Sequence, residues 1–292
     1  MTFVVSAAAL AVAGPHRSKR VGLFLNARRW RLWKAWMNFI AFEVVSDQVG
    51  DSSDGANYGG NRRRMNKEDQ AILAVVPHGI FPFALAFAAL PERAAAAFGE
   101  FRPVVATATS LFPFVRTFLA WIGAVDASRA AVDKALSGGA RIGLAPGGIA
   151  EMFEGYPKPM THPDDEYAIL KERKGFIRMA IKHGVPVIPV YCFGATKMLN
   201  RLQLPSIVEN ISKLLRISFC IFFGRWGLPI PFRTKLLYVM GKTLFPPVAS
   251  QDDSVFRQQV EEMHVRFCQE LRRIFERHKG GYGWEDKTLR LV

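Results

Sequence analysis

A chain of 292 residues with 39 Lys plus Arg against 25 Asp plus Glu carries a net charge of +14, although half of its residues are apolar. That length fits one sizeable α/β domain with a large core, and no break in composition argues for two. Cationic and apolar character together point to an anionic membrane surface or a phosphate-bearing ligand, and the lack of a basic run interleaved with stacking aromatics argues against nucleic acid.

Residues 1–14, MTFVVSAAALAVAG, have the apolar core of a signal peptide, but Arg17, Lys19 and Arg20 follow that run instead of preceding it. The run is too short to span a bilayer, and a truncated anchor, a processed leader and a disordered end all stay open. Over residues 23–45, Trp30, Trp33, Met37, Ile40 and Val44 recur at steps of three and four, with Arg28, Arg29, Arg31 and Lys34 at the start. This spacing predicts one amphipathic helix that either lies in a headgroup layer or packs with its charges solvated. Residues 46–69, rich in Gly, Asn, Ser and Asp and including Arg62, Arg63 and Arg64, read as a polar linker.

From about residue 70 to 292, short apolar strands alternate with helical segments. Strands are expected at 71–76, 104–109, 141–146, 185–193 and 236–241, with helices near 113–123 and 175–184. Such alternation predicts an α/β fold, a mostly parallel sheet flanked by helices, whose site lies beyond the carboxyl ends of the strands. Residues 71–90 are nearly free of charge, but Pro77, Gly79 and Pro82 favour a strand and a turn over a membrane span. The last long element, Asp252 to Lys279, carries the stripe Phe256, Val260, Met263, Phe267, Leu271 and Ile274, with Gly280 and Gly281 as the expected stop.

Three stretches carry chemistry. His78 follows the first apolar strand on a Pro77-His78-Gly79 turn, where apolar surroundings favour the neutral imidazole that can accept a proton; a buried structural histidine is the alternative. In RIGLAPGGIAEMFEG (141–155), the Gly147-Gly148 turn lets backbone N–H groups approach an oxyanion or phosphate, and acidic Glu151 follows. In 170–194, Lys171, Arg173, Lys174, Arg178 and Lys182 could hold the phosphates of a ligand such as coenzyme A, or form a solvated helix face. No GxSxG elbow, HExxH pair or phosphate-loop motif is present. The odd, widely spaced Cys192, Cys220 and Cys268 exclude a disulfide framework and a zinc site and imply a reducing setting for the bulk of the chain.

The blocks VPHGI (76–80), FRPVVATA (101–108), PGGIAE (146–151), RKGFIRMAIKHGVPVIPVYCFGA (173–195), GRWGLPIPF (224–232) and ERHKGGYGW (276–284) together resemble the type 2 diacylglycerol acyltransferase family, which includes monoacylglycerol and wax-alcohol acyltransferases. The resemblance implies a glycerolipid-acyltransferase-like fold with an N-terminal membrane-associating segment (1–45). It implies transfer of a fatty acyl group from acyl-CoA to a neutral-lipid hydroxyl, first of all diacylglycerol, with monoacylglycerol or a wax alcohol as alternatives. No cofactor or metal is expected. The partners implied are acyl-CoA, the lipid acceptor and the endoplasmic reticulum membrane or lipid-droplet surface, with the catalytic domain facing the cytosol; homo-oligomerisation is left open.

The family signature His-Pro-His-Gly stands here as Val76-Pro77-His78-Gly79, so the resemblance makes His78 the catalytic base. Ala195 replaces the glutamate that ends the family's Phe-Gly-Glu. These departures also leave room for a catalytically impaired lipid-binding member of the fold. More distant glycerolipid acyltransferases use His-x4-Asp, but Phe83 occupies that place, and Glu151 is the candidate carboxylate for orienting His78. Expected substrate contacts are Pro77, Gly79, Gly147, Gly148, Arg173, Lys174, Gly175, Phe176 and Arg178.

Overall fold

The computed structural model describes residues 26, 29–47, 66–80, 82–89, 92–111, 113–154, 158–202, 207, 221–228 and 230–292. The segments 1–14 and 62–64, Arg28 and Cys220, for which the sequence raised expectations, lie outside the described residues. The strands are β1 Glu43–Ser46, β2 Ile72–Val76, β3 Arg102–Val105, β4 Val125–Asp126, β5 Ile142–Leu144, β6 Asp165–Ala168, β7 Val187–Phe193, β8 Asn200–Arg201, β9 Phe222–Phe223, β10 Leu237–Met240 and β11 Thr288–Leu291. The α-helices are α1 Arg31–Phe39, α2 Phe83–Ala89, α3 Glu92–Phe98, α4 Pro113–Trp121, α5 Arg129–Ser137, α6 Glu151–Glu154, α7 Gly175–His183 and α8 Asp253–Tyr282.

Seven strands form the main sheet in the order β1-β10-β7-β2-β5-β3-β4. The run from β7 to β4 is parallel throughout; β10 lies antiparallel to β7 and carries β1 parallel to itself. The α/β class and the mostly parallel sheet are therefore as expected. Residues of β2 alternate between two cores: Ile72, Ala74 and Val76 face the side covered by α5, α7 and α8, while Leu73 and Val75 face α1, α2 and α3. A strand buried on both faces must be apolar at every position, which is why AILAVV shows no polar alternation.

Three expectations change. The segment 23–45 is not one helix: α1 ends at Phe39, Ala41 takes φ 45°, and Val44 lies in an edge strand hydrogen-bonded to β10. Helical spacing alone could not reveal that the β-branched pair Val44-Val45 would find a sheet partner. The strand expected at 104–109 stops at Val105, because β4 offers it only two residues; Thr107 opens a 3₁₀ turn and its hydroxyl donates to Asp126 Oδ1 at 3.1 Å. Helix α8 runs through Gly280 and Gly281 to Tyr282 and reverses at Gly283, φ 84°. Tyr282 and Trp284 pack on Phe193 with centroids 5.2 and 5.6 Å away, which holds that last turn in place. At its other end α8 is capped by Asp252, whose carboxylate accepts from Ser254 N and Val255 N at 2.7 and 3.1 Å.

Strand β1 is tied down by Asp47, only 6% exposed, which pairs with Arg273 at 3.0 Å, Arg277 at 3.1 Å and His278 at 3.2 Å. Burial works against ionisation of Asp47, but the His278 hydrogen bond and the Arg273 and Arg277 charges outweigh it and hold the carboxyl below its ordinary value. Its contribution is present above the unfolded-state carboxyl range and is lost as pH falls through the lower folded value. Replacing Asp47 by Ala is expected to destabilise the protein by about 1–3 kcal/mol, read as a lower urea midpoint at pH 7, with the difference from the parent shrinking below pH 4.

Candidate active site

Parallel strands send their carboxyl-terminal loops to one edge of the sheet, and β2, β5 and β7 lie side by side. The loop after β2 presents Pro77, His78 and Gly79; that after β5 gives the Gly147-Gly148 turn and α6; that after β7 gives a 3₁₀ turn, Ala195–Lys197. Three loops distant in sequence thus meet.

His78 is half-buried, and its Nδ1 lies 2.7 Å from the Gly79 carbonyl oxygen. A carbonyl can only accept, so this contact fixes the proton on Nδ1 and leaves Nε2 with its lone pair. Gly79 adopts φ 69°, a left-handed conformation that a side chain would strain. Burial lowers the His78 pKa, opposed by the Gly79 hydrogen bond, and so favours the neutral ring.

Glu151 reaches His78, but by a different contact from the one expected. Its Oε2 accepts the His78 main-chain N–H in a short hydrogen bond, and its Oε1 accepts the Ile169 N–H at 3.0 Å. The carboxylate therefore orients the His78 backbone, while the imidazole is oriented by Gly79. Desolvation pushes the Glu151 pKa up to about 7, against the pull of the two N–H donors and the Arg173 charge. Gly147 makes room for this arrangement: a Cβ there would come within 2.1 Å of the Glu151 carboxyl carbon. Gly148 takes φ 55°, and its N–H is held by the Ala145 carbonyl at 3.2 Å, so it is not free to bind an anion.

The basic stretch divides. Arg173 is close enough to act on the Glu151 charge. Lys174 pairs with Glu261 at 2.6 Å, Phe176 packs against Phe267 at 5.0 Å, and the Arg178 guanidinium stacks 5.6 Å from Phe256. These three join α7 to α8, and neither they nor Gly175 at the start of α7 line the cavity beside the His78 loop. Their helical spacing is real, but it serves packing.

A cavity of about 370 Å³ opens beside the His78 loop, lined by Pro77, Gly79 and Glu151 on one side and by Glu166, Thr196, Lys197 and Arg201 on the other. The second group was not expected from the sequence. Thr196 and Lys197 do follow an apolar strand directly, a position that favours site residues. Glu166 shows no comparable signal: only the inward phase of the short strand β6 reveals it.

Comparison with known proteins then bears on the chemistry. The family model described as diacylglycerol acyltransferase matches residues 5–292. The chain belongs to that family. Similar members include the Bos taurus "Diacylglycerol O-acyltransferase 2-like protein 6", 28% identical over 88% of this chain and 75% of that protein. The Homo sapiens "Acyl-CoA wax alcohol acyltransferase 2" is 28% identical over 89% and 76%, and the Bos taurus "2-acylglycerol O-acyltransferase 1" 26% over 90% and 77%. Among solved structures, the Thermotoga maritima 1-acyl-sn-glycerophosphate acyltransferase PlsC aligns over 92% of this chain and 88% of its own at 16% identity, with a TM-score of 0.40. As a family member the chain is an acyltransferase of lipid biosynthesis.

Truncating Glu151 to Ala removes the acceptor from the His78 N–H. We expect kcat for acyl transfer to fall by about 100-fold, the usual effect of a small misplacement of a reacting group, with KM for acyl-CoA nearly unchanged and with Glu151→Gln intermediate.

Proposed function

We propose that the protein is a membrane-associated O-acyltransferase that moves a fatty acyl group from acyl-CoA to the hydroxyl of a neutral lipid, diacylglycerol first of all, giving triacylglycerol. The observation that supports this reading is the Gly79 carbonyl 2.7 Å from His78 Nδ1, which keeps the proton on Nδ1 and the lone pair on Nε2. Nε2 takes the proton of the acceptor hydroxyl as its oxygen attacks the thioester carbon. The tetrahedral intermediate then collapses, expelling the coenzyme A sulfur, which receives that proton from the imidazolium. Neither a covalent enzyme intermediate nor a cofactor is needed. Of the basic residues expected to hold coenzyme A, Arg173, whose charge acts on Glu151, is the proposed contact. Monoacylglycerol and wax-alcohol transfer stay open as alternatives, and the names of the relatives quoted above span all three acceptors.

The proposed membrane contact has a physical basis in an aromatic surface. Trp30 stacks on Trp33 at 6.3 Å and meets Trp121 edge-on at 6.3 Å, and Trp33 leans on Phe118 at 5.9 Å. Leu32 and Val115 are exposed beside them, as are Arg29, Arg31 and Lys34. Indole rings bordered by cations suit the headgroup layer of an anionic bilayer, where acyl chains too greasy for water reside. Among the described residues no helix is long and apolar enough to cross a membrane. The cytosolic face of the endoplasmic reticulum, or a lipid droplet, is the proposed location.

Two experiments test this. With labelled acyl-CoA and diacylglycerol, His78→Ala should lose about 100- to 10,000-fold in rate. The parent's rate should fall only as pH drops through a value below the ordinary 6.5 of histidine, because burial holds the ring neutral. Full activity in His78→Ala would refute the mechanism. Separately, the Trp30→Ala, Trp33→Ala double variant should co-sediment with anionic liposomes several-fold less than the parent, and added salt should weaken binding of the parent.

A further inference from the structure

The cavity beside His78 has an unusual wall. Glu166 is 2% exposed, held inward by the alternation of β6, and its Oε2 accepts the Thr196 hydroxyl at 2.6 Å. Its Oε1 lies 3.1 Å from Lys197 Nζ and 3.8 Å from Lys287 Nζ as ion pairs, yet it accepts no hydrogen bond. A buried carboxylate with an unfilled acceptor site is a poor stabilising device, since an apolar replacement would pack with less desolvation. Glu270, another buried acid with a cationic partner, has hydrogen bonds to both its oxygens: Oε1 accepts from Lys242 N at 2.6 Å and Arg273 Nη2 at 2.7 Å, and Oε2 from Arg273 Nε at 2.8 Å. The incomplete pair is the one that lines a cavity.

The charges around that cavity roughly cancel, Glu151, Asp165 and Glu166 standing against Lys197 and Arg201. A phosphate would meet as much repulsion as attraction there. A neutral ligand with several oxygens would instead find both acceptors and donors. We infer that this cavity is the polar subsite for the acceptor, in which Glu166, Thr196 and Lys197 recognise glyceryl oxygens of a partial glyceride that a simple long-chain alcohol lacks. The inference rests on the acyl-transfer reading above and narrows it to one class of acceptor. Lys197 donates to an ester carbonyl, while Glu166 Oε1 accepts from a glyceryl hydroxyl. A fatty alcohol, whose single hydroxyl must reach His78, leaves the buried Glu166 Oε1 without a hydrogen-bond donor, and a site that keeps a buried polar group unsatisfied discriminates against such a ligand.

Equilibrium binding without acyl-CoA separates this inference from the reaction itself. The full chain in detergent micelles is titrated with labelled 1,2-dioctanoylglycerol, labelled monooctanoylglycerol and labelled 1-hexadecanol. The parent is expected to bind both glycerides more tightly than the alcohol. Thr196→Val with Lys197→Met should weaken glyceride binding by about tenfold, the loss of roughly one charged hydrogen bond, while hexadecanol binding moves less than twofold. Lys197→Arg, which keeps the charge and the donors, should restore most of the glyceride affinity, and Thr196→Val alone provides a milder variant if the double one fails to fold. Equal weakening for all three ligands, or none for the glycerides, overturns the inference. Glyceride-selective binding without acyl transfer in the parent would refute the acyltransferase reading and leave the subsite standing. Transfer to hexadecanol with no preference for glycerides would do the reverse.

Discussion

The carboxylate of Glu151 bridges two segments far apart in sequence, because one oxygen accepts the N–H of His78 and the other that of Ile169. The first donor lies on the loop after β2, the second follows β6, and the acceptor itself sits past the turn that ends β5. Two N–H groups of loops that leave the sheet would otherwise lack acceptors in an enclosed place, which is costly. The site depends on this bridge more than on any contact of the imidazole, since it sets where the His78 backbone lies before the side chain can be aimed. Gly147 and Gly79 serve the same arrangement, one by leaving space for Glu151 and the other by turning its carbonyl toward Nδ1.

Around that bridge the sheet divides the labour. The face with α5, α7 and α8 is filled by aliphatic and aromatic side chains, and the other face packs α1, α2 and α3. At the carboxyl edge the turn after β7 delivers Thr196 and Lys197, and β6 contributes Glu166 from the side. The Tyr191 hydroxyl is buried among them with no hydrogen-bond partner among the described residues, and burial, with Glu166 and Glu151 nearby, pushes its pKa well up. A neutral phenol at that depth adds no further negative charge near Glu166 and Glu151.

The two departures from the family pattern have local physical explanations. Val76 is fully buried, points into the core shared with α7 and α8, and pairs in register with Tyr191. An imidazole in its place would enter apolar packing, whereas valine fills it without a polar group to satisfy. Ala195, 5% exposed, packs into the opposite core at the start of the turn that delivers Thr196 and Lys197. Neither substitution removes His78, Gly79 or Glu151, the residues that set the geometry of the proposed base.

By itself the sequence determined the sheet's central strands, the helices α7 and α8, and the placing of His78 and Glu151 just past strand ends, because apolar periodicity and glycine turns are local signals. It did not reveal that Lys174, Phe176 and Arg178 pair with Glu261, Phe267 and Phe256 of α8, a distant part of the chain. It also read Val44 as helical, because strand β1 exists only through β10. Only the tertiary structure decided that Glu151 holds the His78 main chain and not its ring, and that Glu166, Thr196 and Lys197 share one cavity wall. Those facts depend on which loops the parallel strands bring to the same edge, and no local pattern in the chain encodes that.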